Sequence, residues 1–473
     1  MTDGQAYDVA VIGAGVVGAA IARELSKYQL DVVLIEAGDD VGIGTSKANT
    51  AIWHTGFDAK PGSLEARLLR RGHDLLGQYA EETGIPIQRT GALLVAWNSE
   101  QRERLGGIDR NARANGYSRG RLVGTDELYK REPNLAPGAT GALEIPDEGI
   151  ICPFTTPLAY ATQALHNGVD LLLESPVAGR TSDGQSGHVL SIAGGPDIRA
   201  SWAVNAAGLH ADEIDRIFGH DAFTISPRRG ELIIFDKLAR PLVSHVLLPV
   251  PTAKTKGMIV APTVFGNVIL GPTADDIGDK TATESTAGGL AALLAQGRRL
   301  MPALLDEEVT AVYAGLRAAS EHADYQIASY PAERYVCVGG IRSTGLSASM
   351  AIAEHVTELL SEAGLELEPA AAFETVRMPN IGEMSIRPYQ DTQAIRAAPD
   401  YGRIACHCER VSLGEIRDAC NATIPARTMD GLRRRTRATM GRCQGFYCAA
   451  RLTRILTQNT GRTAGDIIRT EAR

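Results

Sequence analysis

The chain has 473 residues, which is too long for one ordinary domain and favours two or three. A hydrophobic content of 44% and a charged content of 22% are typical of globular proteins and exclude wholesale disorder. The net charge of −8 argues against a general nucleic-acid binder, so no nucleic-acid partner is expected.

The N-terminal residues show no basic segment followed by an apolar run, so no secretory signal is predicted. The longest apolar stretch, Val9–Ala22, contains three glycines and is too short to span a membrane. We therefore expect a cytoplasmic protein that associates with a membrane only through a partner subunit.

The beginning of the chain predicts a β-α-β unit. Tyr7–Ile12 is a short apolar strand, a helix runs from Val16 to about Lys27, and Asp31–Ile35 forms a second strand. Gly13, Gly15 and Gly18 form G-x-G-x-x-G between the strand and the helix.

This glycine pattern is the fingerprint of a dinucleotide site. The first glycine permits the tight turn, the second lets a pyrophosphate approach the backbone, and the third allows close packing of helix and strand. Glu36 ends the second strand, where its carboxylate can accept a hydrogen bond from a ribose hydroxyl. Strand, turn, helix, strand and acid all occur in register, but the pattern alone does not choose between NAD and FAD.

Later segments predict that the first domain is discontinuous. Gly230–Phe235 and Met258–Leu270 alternate like strands, and a helix is predicted from Ser347 to about Ala363. Two segments favour FAD: the strand-like Ala203–Gly208 ends in small residues, and the glycine-rich Gly339–Ser347 feeds a helix whose N-terminus can face an anionic reduced flavin.

The composition changes near residue 401. From there to the C-terminus there are 14 Arg, no Lys and six acidic residues, which indicates a separate module. The preceding segment, about 366–403, contains four prolines and no sustained periodicity, and is predicted to be a surface connector. Arg433, Arg434, Arg435 and Arg437 are expected either as a solvated face or as a docking site for an acidic partner.

Four of the seven cysteines lie in this module. Cys406 and Cys408 form C-x-C, and Cys443 and Cys448 form C-x4-C after 34 intervening residues. Four thiolates can hold a [2Fe–2S] cluster or a structural zinc, and the short C-x-C pair is unusual for zinc ribbons. Cys152, Cys337 and Cys420 are expected as core residues, not as ligands.

Helices are predicted around these cysteines. Ser412 and Glu415 form a capping box for a helix through about Ala422. A second helix is predicted from Phe446 to Asn459, which would place Cys448 in its first turn, near free backbone N–H groups.

Eight segments resemble the D-amino-acid oxidase superfamily, and within it the anaerobic FAD-dependent glycerol-3-phosphate dehydrogenases. The segments are Gly13–Gly18, Gly44–Asp58, Arg89–Ala96, Val204–Ile214, Pro227–Lys237, Thr255–Lys280, Ala314–Ser320 and Gly339–Val356. The C-terminal module, with GRCQGFYC, resembles a bacterioferritin-associated-ferredoxin-like [2Fe–2S] domain.

The resemblance implies an α/β FAD-binding Rossmann-type domain with an inserted α+β substrate domain, followed by a small helical [2Fe–2S] domain. The FAD-binding domain is expected in residues 1–85, 150–215 and 330–365, and the substrate-binding domain in 86–149 and 216–329. A linker over 366–402 and the [2Fe–2S] domain over 403–473 complete the chain.

The resemblance also implies the residues that contact the cofactors. No cysteine matches a covalent flavin position, so FAD is expected to be noncovalent, and the cluster ligands are Cys406, Cys408, Cys443 and Cys448. The expected FAD-binding residues are Gly13, Gly15, Val16, Val17, Gly18, Glu36, Thr45, Ser46, Asn49, Val177, Ala207, Gly208, Gly340, Gly345, Leu346 and Ser347.

On the substrate side, His54 occupies the family's histidine–glycine position beside the flavin. With an ordinary pKa near 6.5 it is expected either to accept a hydroxyl proton or only to hydrogen-bond the flavin or backbone. His245 and His322 are the other candidates for the base.

Basic residues are expected to bind the substrate anion. Arg317 matches the family's anion-binding arginine, and Arg342 can supply a second positive charge. Lys254 and Lys256 are expected either beside the substrate or on a solvated loop. Ala318 stands where the family pattern has proline, which weakens the inference of substrate identity.

The resemblance implies oxidation of a small anionic hydroxy substrate, best matched by sn-glycerol 3-phosphate going to dihydroxyacetone phosphate. It further implies that hydride passes to flavin N5, and we expect the cluster to pass electrons to a second redox subunit or a quinone-linked carrier. The alternatives are an opine, imino-acid or 2-hydroxy-acid dehydrogenase on the same scaffold, and a non-catalytic redox adaptor.

Overall fold

The fold is taken from a computed structural model that describes residues 6–182, 184, 187–251, 257–384 and 386–468. The strands within these ranges are β1 (Ala6–Ile12), β2 (Val32–Ile35), β3 (Ile52–Trp53), β4 (Ile87–Gln88), β5 (Ala92–Ala96), β6 (Arg121–Val123), β7 (Gly141–Ile145), β8 (Gly149–Ile151), β9 (Asp170–Leu172), β10 (Val177–Ser182), β11 (His188–Ile192), β12 (Ile198–Asn205), β13 (Ile225–Phe235), β14 (Val246–Pro249), β15 (Ile259–Pro262), β16 (Val268–Gly271), β17 (Asp275–Asp276), β18 (Val309–Ser320), β19 (Gln326–Tyr330), β20 (Tyr335–Gly339), β21 (Ile404–Cys406) and β22 (Val411–Ser412).

The α-helices in the same ranges are α1 (Val16–Leu25), α2 (Leu64–Thr83), α3 (Ser99–Ala114), α4 (Thr125–Arg131), α5 (Thr155–His166), α6 (Ala211–Ile217), α7 (Ala287–Leu300), α8 (Gly345–Glu362), α9 (Thr392–Ala397), α10 (Leu413–Cys420), α11 (Met429–Thr436), α12 (Ala449–Thr460) and α13 (Ala464–Ile468). None of the helices within the described ranges is long and apolar enough to cross a bilayer.

The first sheet has a parallel centre of the Rossmann type. Its order is β10-β11-β12-β1-β2-β9, and β20 pairs with β12 on a branch that ends in β19. The central strand β1 is buried from Val9 to Ile12, because helices cover both faces of such a sheet. The strand β19 pairs antiparallel with β20, so this sheet includes residues from Gln326 onward.

The second sheet is mostly antiparallel and belongs to the inserted region. Its order is β17-β13-β16-β15-β14-β5-β7-β6, and β18 pairs with β13 along almost its whole length. In this register Arg228 lies directly opposite Arg317. The long β13–β18 ribbon therefore presents two arginines at one level of the sheet.

The predicted connector is tied down at several points. Pro369 forms a bridge with Tyr28, the Met378 N–H donates to Thr83 O, and the Glu383 N–H donates to Val264 O. It contains the short helix α9 and passes from the first domain to the last. The linker is thus an ordered strap along the surface.

The C-terminal module is a small helical unit with its own core. Leu432, Leu452 and Leu456 are completely buried in it. The Ser412 hydroxyl accepts from the Glu415 N–H while the Glu415 carboxylate accepts from the Ser412 N–H, which is the predicted capping box. Helix α12 begins one residue after Cys448, so this cysteine is the N-cap and not part of the first turn.

Candidate active site and cluster site

A cavity of about 510 Å³ lies between the two large sheets. Both domains line it, with Gly15 and Ser347 from the first domain and Arg228 and Arg317 from the inserted one. A cavity at a domain interface, bounded by helix N-termini, is a usual place for a cofactor and a small substrate.

The glycine turn after β1 forms one wall. Gly13 has φ +103, and a Cβ there would lie 2.6 Å from Ala206 O. A Cβ on Gly18 would overlap the carbonyl oxygen of Gly13. Both positions therefore require glycine, and the N-terminus of α1 comes close to the cavity, which Gly15, Val16 and Val17 line.

The segment Thr45–Asn49 lies beside this turn. The Ser46 hydroxyl accepts from the Val16 N–H at 3.0 Å, and the Thr45 hydroxyl donates to Leu316 O at 2.8 Å. Thr45, Ser46 and Asn49 all line the cavity. This segment links the α1 N-terminus to the β18 strand that carries Arg317.

The second helix N-terminus at the cavity is that of α8. Gly345, Leu346 and Ser347 line the cavity, and so does Gly340 in the preceding turn. Thr344, the N-cap, makes no side-chain cap hydrogen bond, so the first N–H groups of α8 have no side-chain partner from it. Its positive end is suited to an anionic part of a cofactor.

Five predicted FAD residues do not line the cavity: Gly13, Gly18, Glu36, Val177 and Ala207. The Glu36 carboxylate accepts from the Ala14 and Gly38 N–H groups, each at 2.8 Å, and so fixes the turn. Gly208 does line the cavity, next to Ala207. Ribose binding by Glu36 and FAD binding by Val177 stay predictions.

His54 is held between two carboxylates. Its Nδ1 lies 2.7 Å from Glu148 Oε1 and its Nε2 lies 3.0 Å from Asp58 Oδ1. Burial lowers the pKa of His54, but the charges of Glu148 and Asp58 outweigh burial and raise it to about 10. The predicted pKa near 6.5 is wrong, because the sequence does not show that two carboxylates meet at this ring.

The raised pKa makes stability depend on pH. The folded-state pKa of His54, about 10, exceeds its unfolded value near 6.5. The stabilisation is therefore complete below pH ~6.5 and is lost as the pH rises through about 10. We expect His54→Gln to be less stable than the wild type to urea at pH 6, and the difference to shrink towards pH 10.

The matched control is His210→Gln, since His210 is an exposed histidine that pairs with Glu213 on the surface. Unfolding is followed with saturating FAD so that cofactor loss does not contribute. A His54→Gln difference that grows between pH 6.5 and 10 would contradict the ion-pair assignment.

Arg317 lies at the other side of the cavity. Its Nη2 donates to Thr273 O at 2.8 Å, and no carboxylate among the described residues forms an ion pair with it. Burial and the nearby Arg228 lower the pKa of Arg317 to about 10, so the guanidinium is still charged at neutral pH. A largely buried cation without a carboxylate partner is suited to an anionic ligand.

The other predicted substrate residues differ in position. Arg342 lines the cavity and donates to Ala323 O. Lys254 and Lys256 lie outside the described residues. Neither of the alternative bases, His245 or His322, lines the cavity.

Four charged residues that line the cavity were not predicted from the sequence: Asp58, Glu65, Glu148 and Arg228. Glu148 is fully buried, and its Oε2 has no partner while Oε1 accepts from His54 and Thr55. Asp58 follows His54 at i+4 and could have been suspected. Glu148, 94 residues from His54, carries no local signal.

The four cysteines of the last domain lie together. Cys408 interacts with Cys443 and Cys406, and Cys448 interacts with Cys406 and Cys443. Four neighbouring thiols are the ligand set that a [2Fe–2S] cluster requires.

Backbone N–H groups surround one of these thiols. Burial raises the pKa of Cys443, but the Tyr447 N–H and the Cys408 thiol outweigh it. The Gly445 and Phe446 N–H groups add to this and hold the pKa below its ordinary value. A thiolate suited to an iron ligand is thereby favoured.

The arginine run in this domain is mostly buried. Arg434 and Arg435 form ion pairs with Asp40, and Arg437 forms one with Glu409. Only Arg433, paired with Asp430 in its own helix, is substantially exposed. Arg434, Arg435 and Arg437 therefore form neither a solvated face nor a docking site for an acidic partner. Both predictions are wrong for these three residues.

Two features of the structure fit the expected groups. Paired helix N-termini, a glycine-lined approach and the unpartnered Glu148 Oε2 suit FAD and its substrate in the cavity. The four neighbouring thiols and convergent N–H groups suit a [2Fe–2S] cluster. The residues that would hold each group are those described above.

Comparison with known proteins agrees with this geometry. The family described as FAD dependent oxidoreductase matches residues 8–359, and the BFD-like [2Fe-2S] binding domain matches residues 404–458. A glycerol 3-phosphate dehydrogenase of Caloramator mitchellensis is 36% identical over 96% of this chain and 95% of that protein. A glycerol 3-phosphate oxidase of Mycoplasma pneumoniae is 30% identical over 75% of this chain and 94% of that protein.

A solved structure shares the fold. The L-alpha-glycerophosphate oxidase of Mycoplasma pneumoniae with FAD bound has a TM-score of 0.75 and 28% identity, and the match covers 80% of this chain and all of that one. These matches confirm the predicted fold class and both predicted cofactors, FAD and [2Fe–2S], and leave zinc without support. The chain belongs to the FAD dependent oxidoreductase family and carries a BFD-like [2Fe-2S] binding domain at its C-terminal end.

Proposed function

We propose that the protein oxidises sn-glycerol 3-phosphate to dihydroxyacetone phosphate. The chain is an FAD-dependent dehydrogenase of CH–OH donors, and bound FAD supplies a hydride acceptor while the cluster supplies a one-electron carrier. The observation that carries the proposal is Arg317, a largely buried cation in the cavity with no carboxylate partner among the described residues.

A second arginine lies near Arg317. Arg228, directly opposite on β13, also lines the cavity, but its charge is balanced by Asp276, to which it is bonded at 2.6 Å. A guanidinium can bind two oxygens of one anion at once, so Arg317 suits a phosphate or a carboxylate, and the relatives named for glycerol 3-phosphate favour phosphate. Arg317 would thus hold the phosphate and fix the distance of the carbinol carbon from the flavin.

His54, Asp58 and Glu148 also line the cavity and are the groups that could accept the proton of the substrate hydroxyl. Against the effect of burial, Glu148 and Asp58 raise the pKa of His54 to about 10, so its ring is protonated at neutral pH. Because both ring N–H groups of protonated His54 donate to carboxylates, we assign to His54 the role of orienting Asp58. To Asp58, which lines the cavity, we assign the role of accepting the hydroxyl proton. Glu148 would keep the ring in place through Nδ1.

Electrons leave one at a time for an acceptor outside the chain. We place their exit at the Cys443–Cys448 loop, where Phe446 is 83% and Tyr447 is 76% exposed. The acceptor is a second redox subunit or a quinone-linked carrier, and a cytoplasmic enzyme would meet the membrane only through it. Turnover with oxygen alone is expected to be slower than with an artificial acceptor.

A 2-hydroxy-acid substrate is the second candidate. The human mitochondrial L-2-hydroxyglutarate dehydrogenase is 29% identical over 57% of this chain and 61% of that protein. A carboxylate would also pair with Arg317, and Ala318 departs from the family pattern beside it. Opines and imino acids are further alternative substrates, and they are compared in the same experiment.

Anaerobic bleaching of the flavin separates these candidates. Glycerol 3-phosphate, 2-hydroxy acids and opines are added in turn to the purified holoenzyme, and the rate of bleaching is recorded. We expect glycerol 3-phosphate to act at least tenfold faster than the others. Faster bleaching by a 2-hydroxy acid or an opine would contradict the proposal, and no bleaching by any donor would favour a redox adaptor.

A further inference from the structure

An ion-pair junction joins the [2Fe–2S] domain to the FAD-binding domain. Asp40, 4% exposed, accepts from Arg435 Nη1 at 2.6 Å, from Arg435 Nη2 at 2.8 Å and from Arg434 Nη2 at 3.0 Å. Burial raises the pKa of Asp40, but the two guanidinium groups outweigh it and hold the pKa below its ordinary value. We call Asp40, Arg434 and Arg435 the Asp40 junction.

The junction acts on a segment that reaches the cofactor cavity. Asp40 lies between Glu36, which fixes the glycine turn, and Thr45, which lines the cavity. Two residues after Asp40, the Gly42 N–H donates to Ala14 O in the same turn. The [2Fe–2S] domain is thus anchored to the backbone around the expected flavin site.

Arg437 forms a second anchor, to the inserted domain. Its Nε donates to Glu409 Oε2 at 2.7 Å and its Nη2 donates to Asn267 Oδ1 at 3.1 Å. Its guanidinium carbon lies 4.3 Å from the centre of the Phe265 ring. Since Glu409 directly follows Cys408, this side chain connects the cluster-binding loop to the inserted domain.

Most other ion pairs between these domains are more exposed. Arg442 pairs with Asp236 and Arg462 pairs with Glu174, and in each pair at least one side chain is well exposed. Lys237 adds a less exposed contact to Glu409, the partner of Arg437. Exposed ion pairs contribute little to stability, whereas breaking a buried pair leaves an uncompensated charge, so the Asp40 junction and Arg437 are the contacts whose loss costs most.

We propose that the Asp40 junction and Arg437 are positioning residues that hold the cluster in the one orientation from which it accepts electrons from the reduced flavin. The inference rests on the proposed electron relay. Oxidation of one substrate molecule would deliver two electrons to FAD, and a one-electron cluster held by Cys406, Cys408, Cys443 and Cys448 would carry them singly to the external acceptor, which is thereby reduced by two electrons in all.

The test compares Asp40→Asn and Arg437→Lys with the control Arg433→Gln. Asp40→Asn keeps the size of the side chain but leaves two arginines without a counter-charge. Arg437→Lys keeps the positive charge but cannot bond both Glu409 and Asn267 with a planar group. Arg433 lies in the same helix as Arg434 but, among the residues that the structure describes, forms an ion pair only with Asp430.

The holoenzymes are mixed anaerobically with glycerol 3-phosphate. Flavin bleaching is followed optically, and cluster reduction is followed by freeze-quench electron paramagnetic resonance. We expect flavin bleaching within twofold of wild type in all variants, and cluster reduction at least tenfold slower in Asp40→Asn and Arg437→Lys only. If glycerol 3-phosphate bleaches no flavin, photoreduction replaces it, so that failure of the proposed substrate is separated from failure of the junction.

A purely structural junction gives a different result. It would lower the unfolding temperature of both variants while cluster reduction, measured well below that temperature, stayed at the wild-type rate. That result would overturn the proposal, and so would an equal slowing in Arg433→Gln. If Asp40→Asn does not fold, Arg435→Lys takes its place. For this variant too we expect flavin bleaching near the wild-type rate and cluster reduction at least tenfold slower.

Discussion

Replacing Arg317 by Leu is expected to lower kcat/KM for glycerol 3-phosphate by roughly 30- to 5000-fold. Removing one member of a buried charged pair costs about 2–5 kcal/mol, and each ~1.4 kcal/mol is tenfold in rate. In the absence of substrate the guanidinium makes one neutral hydrogen bond, to Thr273 O, so its charge is available for the anion. Steady-state kinetics with an artificial acceptor measures the effect.

Two variants make this prediction specific to phosphate binding. Arg317→Lys keeps the charge but loses the planar fork, and we expect an intermediate loss that falls mainly on KM. Arg298→Gln changes an exposed arginine of α7 and should leave kcat/KM unchanged. FAD content is measured in each, and a normal KM for Arg317→Leu with full FAD would remove the residue from the substrate site.

Replacing Cys448 by Ser is expected to abolish the cluster while leaving flavin reduction by substrate within about twofold of wild type. Cys448 is 2% exposed and interacts with Cys406, so a hydroxyl at this position removes one of four thiolate ligands. Turnover with a one-electron acceptor should fall at least tenfold, because electrons can leave only from the flavin itself. Iron content, flavin bleaching and turnover are measured on the same preparation.

The matched control is Cys420→Ser. Cys420 lies at the end of α10 in the same domain and packs against its core without joining the four neighbouring thiols. We expect this variant to keep its iron and its turnover. An iron-free Cys420→Ser protein, or a Cys448→Ser protein with wild-type turnover, would contradict the ligand assignment.

Features set by local sequence were predictable. The β1–α1 turn follows from Gly13 and Gly18, because both need the absence of a side chain. The capping box at Ser412 and the helix end at Gly461 likewise depend only on neighbours in sequence. The family resemblance extended this to the fold class and both cofactors.

Features set by distant contacts were not predictable. The sequence predicts a surface role for the arginines near residue 435, because Asp40, the partner of Arg434 and Arg435, is 395 residues from Arg435. It predicts an ordinary pKa for His54, since Glu148 comes from a different part of the chain. Burial and charge pairing between remote segments exist only in the folded protein, so periodicity and spacing carry no trace of them.

The central claim is that flavin and cluster form one electron relay in this chain. Electron paramagnetic resonance of the holoenzyme, recorded after anaerobic addition of glycerol 3-phosphate, tests it most directly. The account predicts a bleached flavin together with the signal of a reduced [2Fe–2S] cluster. A bleached flavin with a cluster that stays oxidised, or protein that contains zinc in place of iron, would contradict it.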